Sequence, residues 1–584
     1  MTSFPDASLR SDADADADSI ADSIADSIAD GIVEAGPPAE PWWHTAVTYQ
    51  VYVRSFADGN GDGVGDLRGI RDRLDYLASL GVDAVWLNPC FPSPMADAGY
   101  DIADYRDIEP AFGTLAEMDA LIAEAHQRGL KILLDIVPNH CSDRHPMFQE
   151  ALAAEPDSAA RSWFWFRPGR GPDGGEPPNN WQSLFGGPAW TRVTEPDGKP
   201  GQWYLHLFAS EQPDFNWENA AVREDFAETL RFWFDRGADG FRIDSAVLLV
   251  KDPLLSDLDP DADPDSPHPY SDRDGIHEIY QQWRAIADSY REPRALLGEV
   301  WLADPQRFAL YLRPSEMHAA FNFPFLQCAW DGKDLRQVID QTMRFHRPVA
   351  APATWVLSNH DVTRHVTRYG SADTRFDFDD RDHGSPVDLE LGTRRARAAA
   401  LLYLALPGGA YLYQGEELGL WEVKDIPAER RDDPMWRRTN GQNPGRDGCR
   451  VPLPWTGQTP PFGFSAVSSP QPPEPWLPVQ PAAWSAYTVE AELRDPDSML
   501  RLYRSALTLR RSEPGLRGSR DGLRWLESPE QVLAFQRGDE DVCVVNLSAE
   551  PIALPARATT LLTSGSLTDD GLLPPDCAAW LRVS

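Results

Sequence analysis

The sequence predicts an α/β chain built on a (β/α)8 TIM barrel, with an irregular insert after the third strand and a C-terminal β-sandwich. Three observations predict it. Short β-branched or aromatic runs alternate with longer amphipathic stretches eight times over about 450 residues. The connections after the third and eighth of these runs are too long to be plain loops. Past the last long amphipathic stretch, the pattern changes to short strand-like runs parted by turn residues.

The elements follow in order. Residues 1–41 form an acidic tail with a repeated Ala-Asp-Ser-Ile unit, holding ten acids and one base. Its Ile residues recur every fourth position, but so thin a stripe buries too little area to offset the entropy of ordering. A disordered solubilising tail is expected. Order is expected to begin at Pro41-Trp42-Trp43. The expected barrel strands are 47–53, 84–87, 132–137, 240–243, 295–299, 318–321, 354–357 and 410–413. Amphipathic stretches at 69–80, 115–128, 222–236 and 393–405 read as helices between them, and 499–511 closes the barrel. This divides the chain into a first barrel part at 42–140, an insert at 141–213, a second barrel part at 214–511 and a C-terminal domain at 512–584. The second barrel part carries a long loop at 415–495, whose Pro-rich portion (460–481) reads as extended coil. Strand-like runs at 522–526, 531–536, 542–547 and 559–562 make up the expected sandwich.

Composition excludes several function classes. Hydrophobic residues are 42% of the chain, which is enough for a sizeable core. The net charge of −37 opposes binding to phosphate backbones or anionic lipid, so neither nucleic acid nor a membrane is an expected partner. No run of about 18 apolar residues occurs. The six cysteines are widely spaced and contain no Cys-x-x-Cys, so neither a zinc site nor a disulfide framework is expected. The N-terminal stretch does not read as a signal peptide, and a reduced, cytoplasmic protein is the expectation.

Reactive residues of a barrel gather at the carboxyl ends of its strands. Four expected strands end in polar residues: Asp135-Ile136-Val137-Pro138-Asn139-His140, Arg242-Ile243-Asp244, Gly298-Glu299-Val300-Trp301 and Ser358-Asn359-His360-Asp361. One such ending is compatible with a structural carboxylate, but four of them converge on one mouth. Carboxylates with His and Arg, and no Cys or Lys nucleophile, suit an oxocarbenium-like transition state. A retaining glycosidase uses an ionised carboxylate and a protonated carboxyl about 5–5.5 Å apart. Asp244 is the expected nucleophile, since Arg242 lies two residues earlier on the same side of the strand and should keep it ionised. Glu299 closes an apolar run, where desolvation should raise its pKa and suit a general acid.

These endings, in this order, resemble the signature segments of the α-amylase superfamily of retaining glycoside hydrolases. The resemblance spans nearly the whole chain from Trp42. Within the superfamily the chain is similar to the α-glucosidase and oligo-1,6-glucosidase branch. Gln212-Pro213-Asp214-Phe215-Asn216 resembles that branch's QPDLN motif, with Phe where Leu is usual. The segments Asn179-Asn180-Trp181-Gln182-Ser183-Leu184-Phe185-Gly186-Gly187, Arg446-Asp447-Gly448-Cys449-Arg450 and Tyr49-Gln50-Val51-Tyr52-Val53-Arg54 resemble further signatures of it.

The resemblance implies roles. Asp244 is the nucleophile, Glu299 the acid/base, and Asp361 the binder of sugar hydroxyls that stabilises the distorted ring. His140 and His360 bind hydroxyls of the same glucose, Arg242 orients the nucleophile, and Tyr100 stacks under the ring. Asp97 pairs with Arg450 to close an exo-acting pocket. The segment Asp58, Asn60, Asp62, Val64 (by its carbonyl) and Asp66 has oxygen donors at alternate positions and is expected to hold a structural Ca²⁺ or Mg²⁺. No organic cofactor is expected, and the assembly is expected to be a monomer or homodimer.

The implied substrate is a small α-glucoside or oligosaccharide. In this branch the residue after the nucleophile bears on linkage preference, Val going with α-1,6 and Thr with α-1,4 substrates. Here it is Ser245, whose hydroxyl leans towards α-1,4. An oligo-1,6-glucosidase is the alternative. Trehalose synthase, an isomerase, is a third reading that usually carries MPDLN. A non-enzymatic relative like the transporter heavy chains fits poorly, because all three carboxylates are in place.

Overall fold

The computed structural model describes residues 40–261, 267–378, 386–466, 474–518 and 522–583. The expected acidic tail before Glu40, and part of the Pro-rich 460–481 stretch, lie outside the described residues.

Sixteen strands are described: β1 (Val47–Val51), β2 (Ala84–Leu87), β3 (Lys131–Ile136), β4 (Phe166–Arg167), β5 (Trp190–Thr194), β6 (Pro200–Leu205), β7 (Gly240–Ile243), β8 (Ala295–Gly298), β9 (Ala319–Ala320), β10 (Thr354–Val356), β11 (Gly409–Tyr413), β12 (Leu523–Trp525), β13 (Val532–Arg537), β14 (Asp541–Asn546), β15 (Ala558–Thr563) and β16 (Cys577–Val583). Eight of them form one parallel sheet in the order β10-β11-β1-β2-β3-β7-β8-β9. The curled sheet is a nearly closed barrel. Its seam falls between β9 and β10, where the Thr354 hydroxyl donates to the Ala320 carbonyl. A parallel sheet covered on both faces needs apolar residues throughout, and β1, β2, β7, β8 and β11 are buried at every position.

Two expected elements differ. The stretch expected as one helix at 69–80 is two, Leu67–Asp72 and Leu74–Leu80, parted at Arg73 with φ −112° and ψ 5°. That bridge-region break lets Leu67 and Ile70 on one piece, and Leu74, Leu77 and Leu80 on the other, all reach the core. The first strand stops at Val51 because the Tyr52 amide turns to Gln414 Oε1 at 2.8 Å, and a short helix, Val53–Phe56, follows.

The insert holds the antiparallel sheet β4-β6-β5. It is tied back to the barrel by backbone bridges His140–Asp214 and Phe164–Phe215. Lys251, after β7, reinforces the tie: its buried Nζ contacts Asp214 Oδ2 at 2.8 Å and Asn139 Oδ1 at 2.6 Å. The QPDFN segment therefore locks the insert against the mouth of the barrel.

The C-terminal domain is built on a five-stranded antiparallel sheet, β12-β13-β14-β16-β15. Strand β16 was not among the expected runs, yet it pairs with both β14 and β15. One face of the sheet docks on the barrel helix Leu389–Ala405, where Trp580 Nε1 donates to the Leu401 carbonyl at 2.9 Å. The other face gathers Val532, Val542, Val544, Leu573 and Leu581 into its own small core.

Candidate active site

The register of three neighbouring strands assembles the centre of the barrel mouth. Asp135 lies directly opposite Arg242, and Ile243 opposite Gly298, so Asp244 and Glu299 leave adjacent strands side by side. Arg242 is buried at the midpoint. Its Nη1 donates to Asp244 Oδ1 at 2.7 Å and to Asp135 Oδ1 at 2.9 Å, while Nη2 reaches Glu299 Oε2 at 2.8 Å.

One cation facing three buried carboxylates cannot keep all three ionised. Burial pushes Asp135 up to about 8 and Glu299 up to about 7, against the pull of Arg242 in both cases. Asp244 is also raised by burial, with Arg242 and the Ser245 hydroxyl drawing it back. The sequence-based expectation assigned Arg242 to Asp244 alone. The guanidinium is in fact divided among three acids, and desolvation outweighs its share at each. Glu299 has two further donors, Trp301 Nε1 at 3.0 Å from Oε1 and the Ser245 amide at 2.8 Å from Oε2.

Asp361, at the end of the segment after β10, behaves in the opposite way. Burial alone would raise it, but Arg446 and Arg450 hold it well below the usual carboxylate range. Arg450 Nη2 lies 2.8 Å and Arg446 Nη1 3.2 Å from Asp361 Oδ1. His360 is fully buried, and burial keeps it neutral. Gln50 Nε2 contacts its Nδ1 at 2.7 Å, and its Nε2 lies 2.6 Å from the Tyr100 hydroxyl and 3.2 Å from Asp361 Oδ2. Tyr100 lies parallel to the His360 ring at 5.2 Å, with its hydroxyl also on Asp135 and Asn88. His140 sits beyond, its Nε2 3.1 Å from Gln212 Nε2, which also donates to Asp97 Oδ2 at 3.1 Å.

The expected Asp97–Arg450 pair is not formed. Arg446 takes Asp97 instead, with Nη2 at 2.5 Å from Oδ1. Its Nε contacts Asp433 Oδ2 at 2.5 Å, and its guanidinium lies 5.1 Å from the Phe185 ring of the insert. Arg450 is turned to Asp361 and to the His360 carbonyl, 2.8 Å from its Nε. The two arginines flank the short 3-10 helix Asp447–Cys449; both reach Asp361 Oδ1, and Arg446 also takes Asp97 and Asp433. Reading along the chain singled out Arg450 and passed over Arg446, Asp433, Asp135 and Trp301. The available signals were Arg446 and Asp447 beside Arg450 in one motif, and Asp135 opening the third strand ending.

The loop expected to bind a cation is organised by its own amides. Asp58 accepts from Gly61 and Gly63 at 2.6 and 2.8 Å. Asp66 accepts from Gly59, Asn60 and Gly69 at 3.1, 2.9 and 2.6 Å and caps the following helix. Asp62 accepts from the Val64 amide and from Asn60 Nδ2. The donor types suit a hard cation, but as placed they do not converge on one. Among the described residues no three His, Cys, Asp or Glu side chains come together as a metal-binding group.

The chain is similar to known proteins along most of its length. Residues 50–518 match the family model for the alpha amylase catalytic domain. A probable alpha-glucosidase of Rhizobium meliloti is 38% identical over 540 residues, covering 88% of this chain and 90% of that protein. The oligo-1,6-glucosidase of Parageobacillus thermoglucosidasius is 35% identical, covering 80% and 83%. Among solved structures, the alpha-glucosyl transfer enzyme XgtA superposes with a TM-score of 0.79 at 35% identity, over 93% of this chain and 100% of that one. The trehalulose synthase MutB of Pseudomonas mesoacidophila superposes with 0.80 at 31% identity, over 94% and 100%.

The pairing at the wall is open to a direct test. Arg446→Ala strands buried Asp97 and Asp433 and should cost about 3–5 kcal/mol in a urea titration. Adding Asp97→Asn should recover part of that loss, whereas Asp97→Asn in an Arg450→Ala background should recover none. Equal recovery in both backgrounds would contradict the pairing.

Proposed function

The chain belongs to the α-amylase family of glycoside hydrolases, and from that premise we propose that it is an exo-acting, retaining α-glucosidase. In this reading it releases α-glucose from maltose and short malto-oligosaccharides. The observation that carries it is the pair of carboxylates, Asp244 and Glu299, held by one buried guanidinium. Sharing a single Arg242 keeps them close, which favours double displacement over the wider spacing that an inverting pair needs for its water. Asp244 attacks the anomeric carbon and forms a β-glucosyl ester as the glycosidic C–O bond breaks. Glu299 gives its proton to the departing oxygen, then takes one from the incoming water, whose oxygen displaces Asp244. Asp361, kept ionised by its two arginines, binds hydroxyls of the distorted ring together with His140 and His360, and Tyr100 packs against it. The exo-acting part rests on the wall of Arg446, Asp97 and Gln212 beyond the terminal sugar.

Preference for α-1,4 over α-1,6 bonds rests on the hydroxyl of Ser245. The alternative is an oligo-1,6-glucosidase, the activity named for the Parageobacillus relative. A structural Ca²⁺ or Mg²⁺ in the 58–66 loop is a separate proposal, supported by the donor chemistry of Asp58, Asn60, Asp62, the Val64 carbonyl and Asp66. A cytoplasmic setting is part of the reading, supported by six cysteines that are all unpaired and buried. No helix among the described residues is long and apolar enough to cross a membrane. The protein works as a monomer or homodimer in this proposal.

Three sets of measurements test these proposals. Asp244→Ala and Glu299→Gln should each lower kcat on maltose by about three or more orders of magnitude while thermal unfolding stays close to wild type. Glu299 must be protonated to act as acid and carries a raised pKa, so it is competent below about 7 and kcat/KM should fall as pH rises through about 7. Near-native turnover by either variant would remove the assignment. Second, kcat/KM for maltose should exceed that for isomaltose, and the reverse order would favour the 1,6-enzyme. Third, millimolar Ca²⁺ added to chelator-treated protein should raise Tm, and an unchanged Tm would count against the cation.

A further inference from the structure

Ser245 follows Asp244 where the chain leaves β7, and it does so with φ at +48°. That left-handed conformation is disfavoured for a residue with a side chain, and at an active site it marks a backbone held to a purpose. Here it aims both donors of Ser245 at the reacting carboxylates. The amide N–H donates to Glu299 Oε2 at 2.8 Å, and the hydroxyl donates to Asp244 Oδ2 at 2.8 Å.

Donor placement separates the four carboxylate oxygens. Glu299 Oε2 faces two N–H donors, Ser245 N and Arg242 Nη2, so both of its lone pairs are taken. Glu299 Oε1 faces Trp301 Nε1 and keeps room for a proton. Asp244 Oδ1 is pinned by Arg242 Nη1, which it shares with Asp135. Asp244 Oδ2 is met by the Ser245 hydroxyl, a rotor that can swing away when that oxygen bonds to carbon. Asp244 is also faced by Glu299 from the end of β8, by Asp361 from beyond β10 and by Tyr100 from the loop after β2. Glu299 and Asp361 both oppose its ionisation, so a donor that serves its free oxygen carries unusual weight.

We propose that Ser245 is a positioning residue that keeps the two carboxylates in different protonation states. Its hydroxyl holds Asp244 as the anion with Oδ2 ready to attack, and its amide confines the acid proton to Glu299 Oε1. This rests on the reading of Asp244 as nucleophile and Glu299 as acid. It adds the residue that divides their labour, by a route separate from any effect on linkage preference.

The test uses Ser245→Ala and Ser245→Gly. Both remove the hydroxyl and keep the amide, and glycine also relieves the left-handed backbone. The pH profile of kcat/KM on p-nitrophenyl α-glucoside should narrow from its acidic side, with the lower limb moving up by about one pH unit in both variants. The upper limb, set by Glu299, should stay in place. A second reading needs no turnover: carbodiimide labelling of Asp244 followed by peptide mass spectrometry should show its midpoint rising by the same amount. An unmoved lower limb with an unmoved labelling midpoint would overturn the proposal, as would a shift in the alanine variant alone, which would trace the effect to strain. A wild-type protein that cleaves no α-glucoside, yet shows the labelling shift, would sink the enzymatic reading and leave the role of Ser245 standing.

Discussion

The site depends on a shortage of positive charge. Arg242 is sealed among Asp135, Asp244 and Glu299, and one guanidinium cannot neutralise three carboxylates in a medium that solvates none of them well. The protons left behind are therefore a consequence of packing. Burial lifts Glu299 up to about 7, against the pull of Arg242. Asp361 lies beside two arginines and stays charged. The difference between the acid that keeps its proton and the one that cannot is set by how many cations face each: Glu299 shares Arg242 of β7 with two other carboxylates, whereas Asp361 meets Arg446 and Arg450 from the connection after β11.

The wall of the pocket extends the same economy across distant parts of the chain. Arg446 comes from the long connection after β11, Asp97 from the loop after β2 and Gln212 from the end of the insert, and the three meet through side-chain contacts alone. Lys251 and Asp214 form a second buried link behind them. Such links contribute little net stability once desolvation is counted, and losing one partner is costly. They act as registration points that hold the insert at one height above the barrel.

Much of this could be read from the chain. The barrel strands were legible because a strand buried on both faces is a continuous apolar run, and the candidate site residues because four of these runs close on polar ones. What escaped was set by geometry without a local signature. Arg446 and Arg450 sit four residues apart around one tight helix, and their directions depend on what waits at the end of each side chain. Ser245 adopts a conformation that no glycine announces. Asp135 looked like one acid in a motif, and its share of Arg242 follows from cross-strand register. Strand β16 pairs with β14 and β15 across long loops, and a seven-residue run at the chain's end carries little pattern of its own. Arg73 breaks a helix whose apolar spacing reads as continuous.

The helix Leu389–Ala405 has a consequence for how the chain can be divided. Ala396, Ala398, Ala399, Leu401, Leu402, Leu404 and Ala405 are all buried, because one side of the helix lies on the barrel and another on the C-terminal sheet. It is a party wall between two rooms. A barrel cut free of the last five strands would expose that greasy partition to water, so the C-terminal sheet is a foundation of the catalytic unit and cannot be swapped in or out as an accessory.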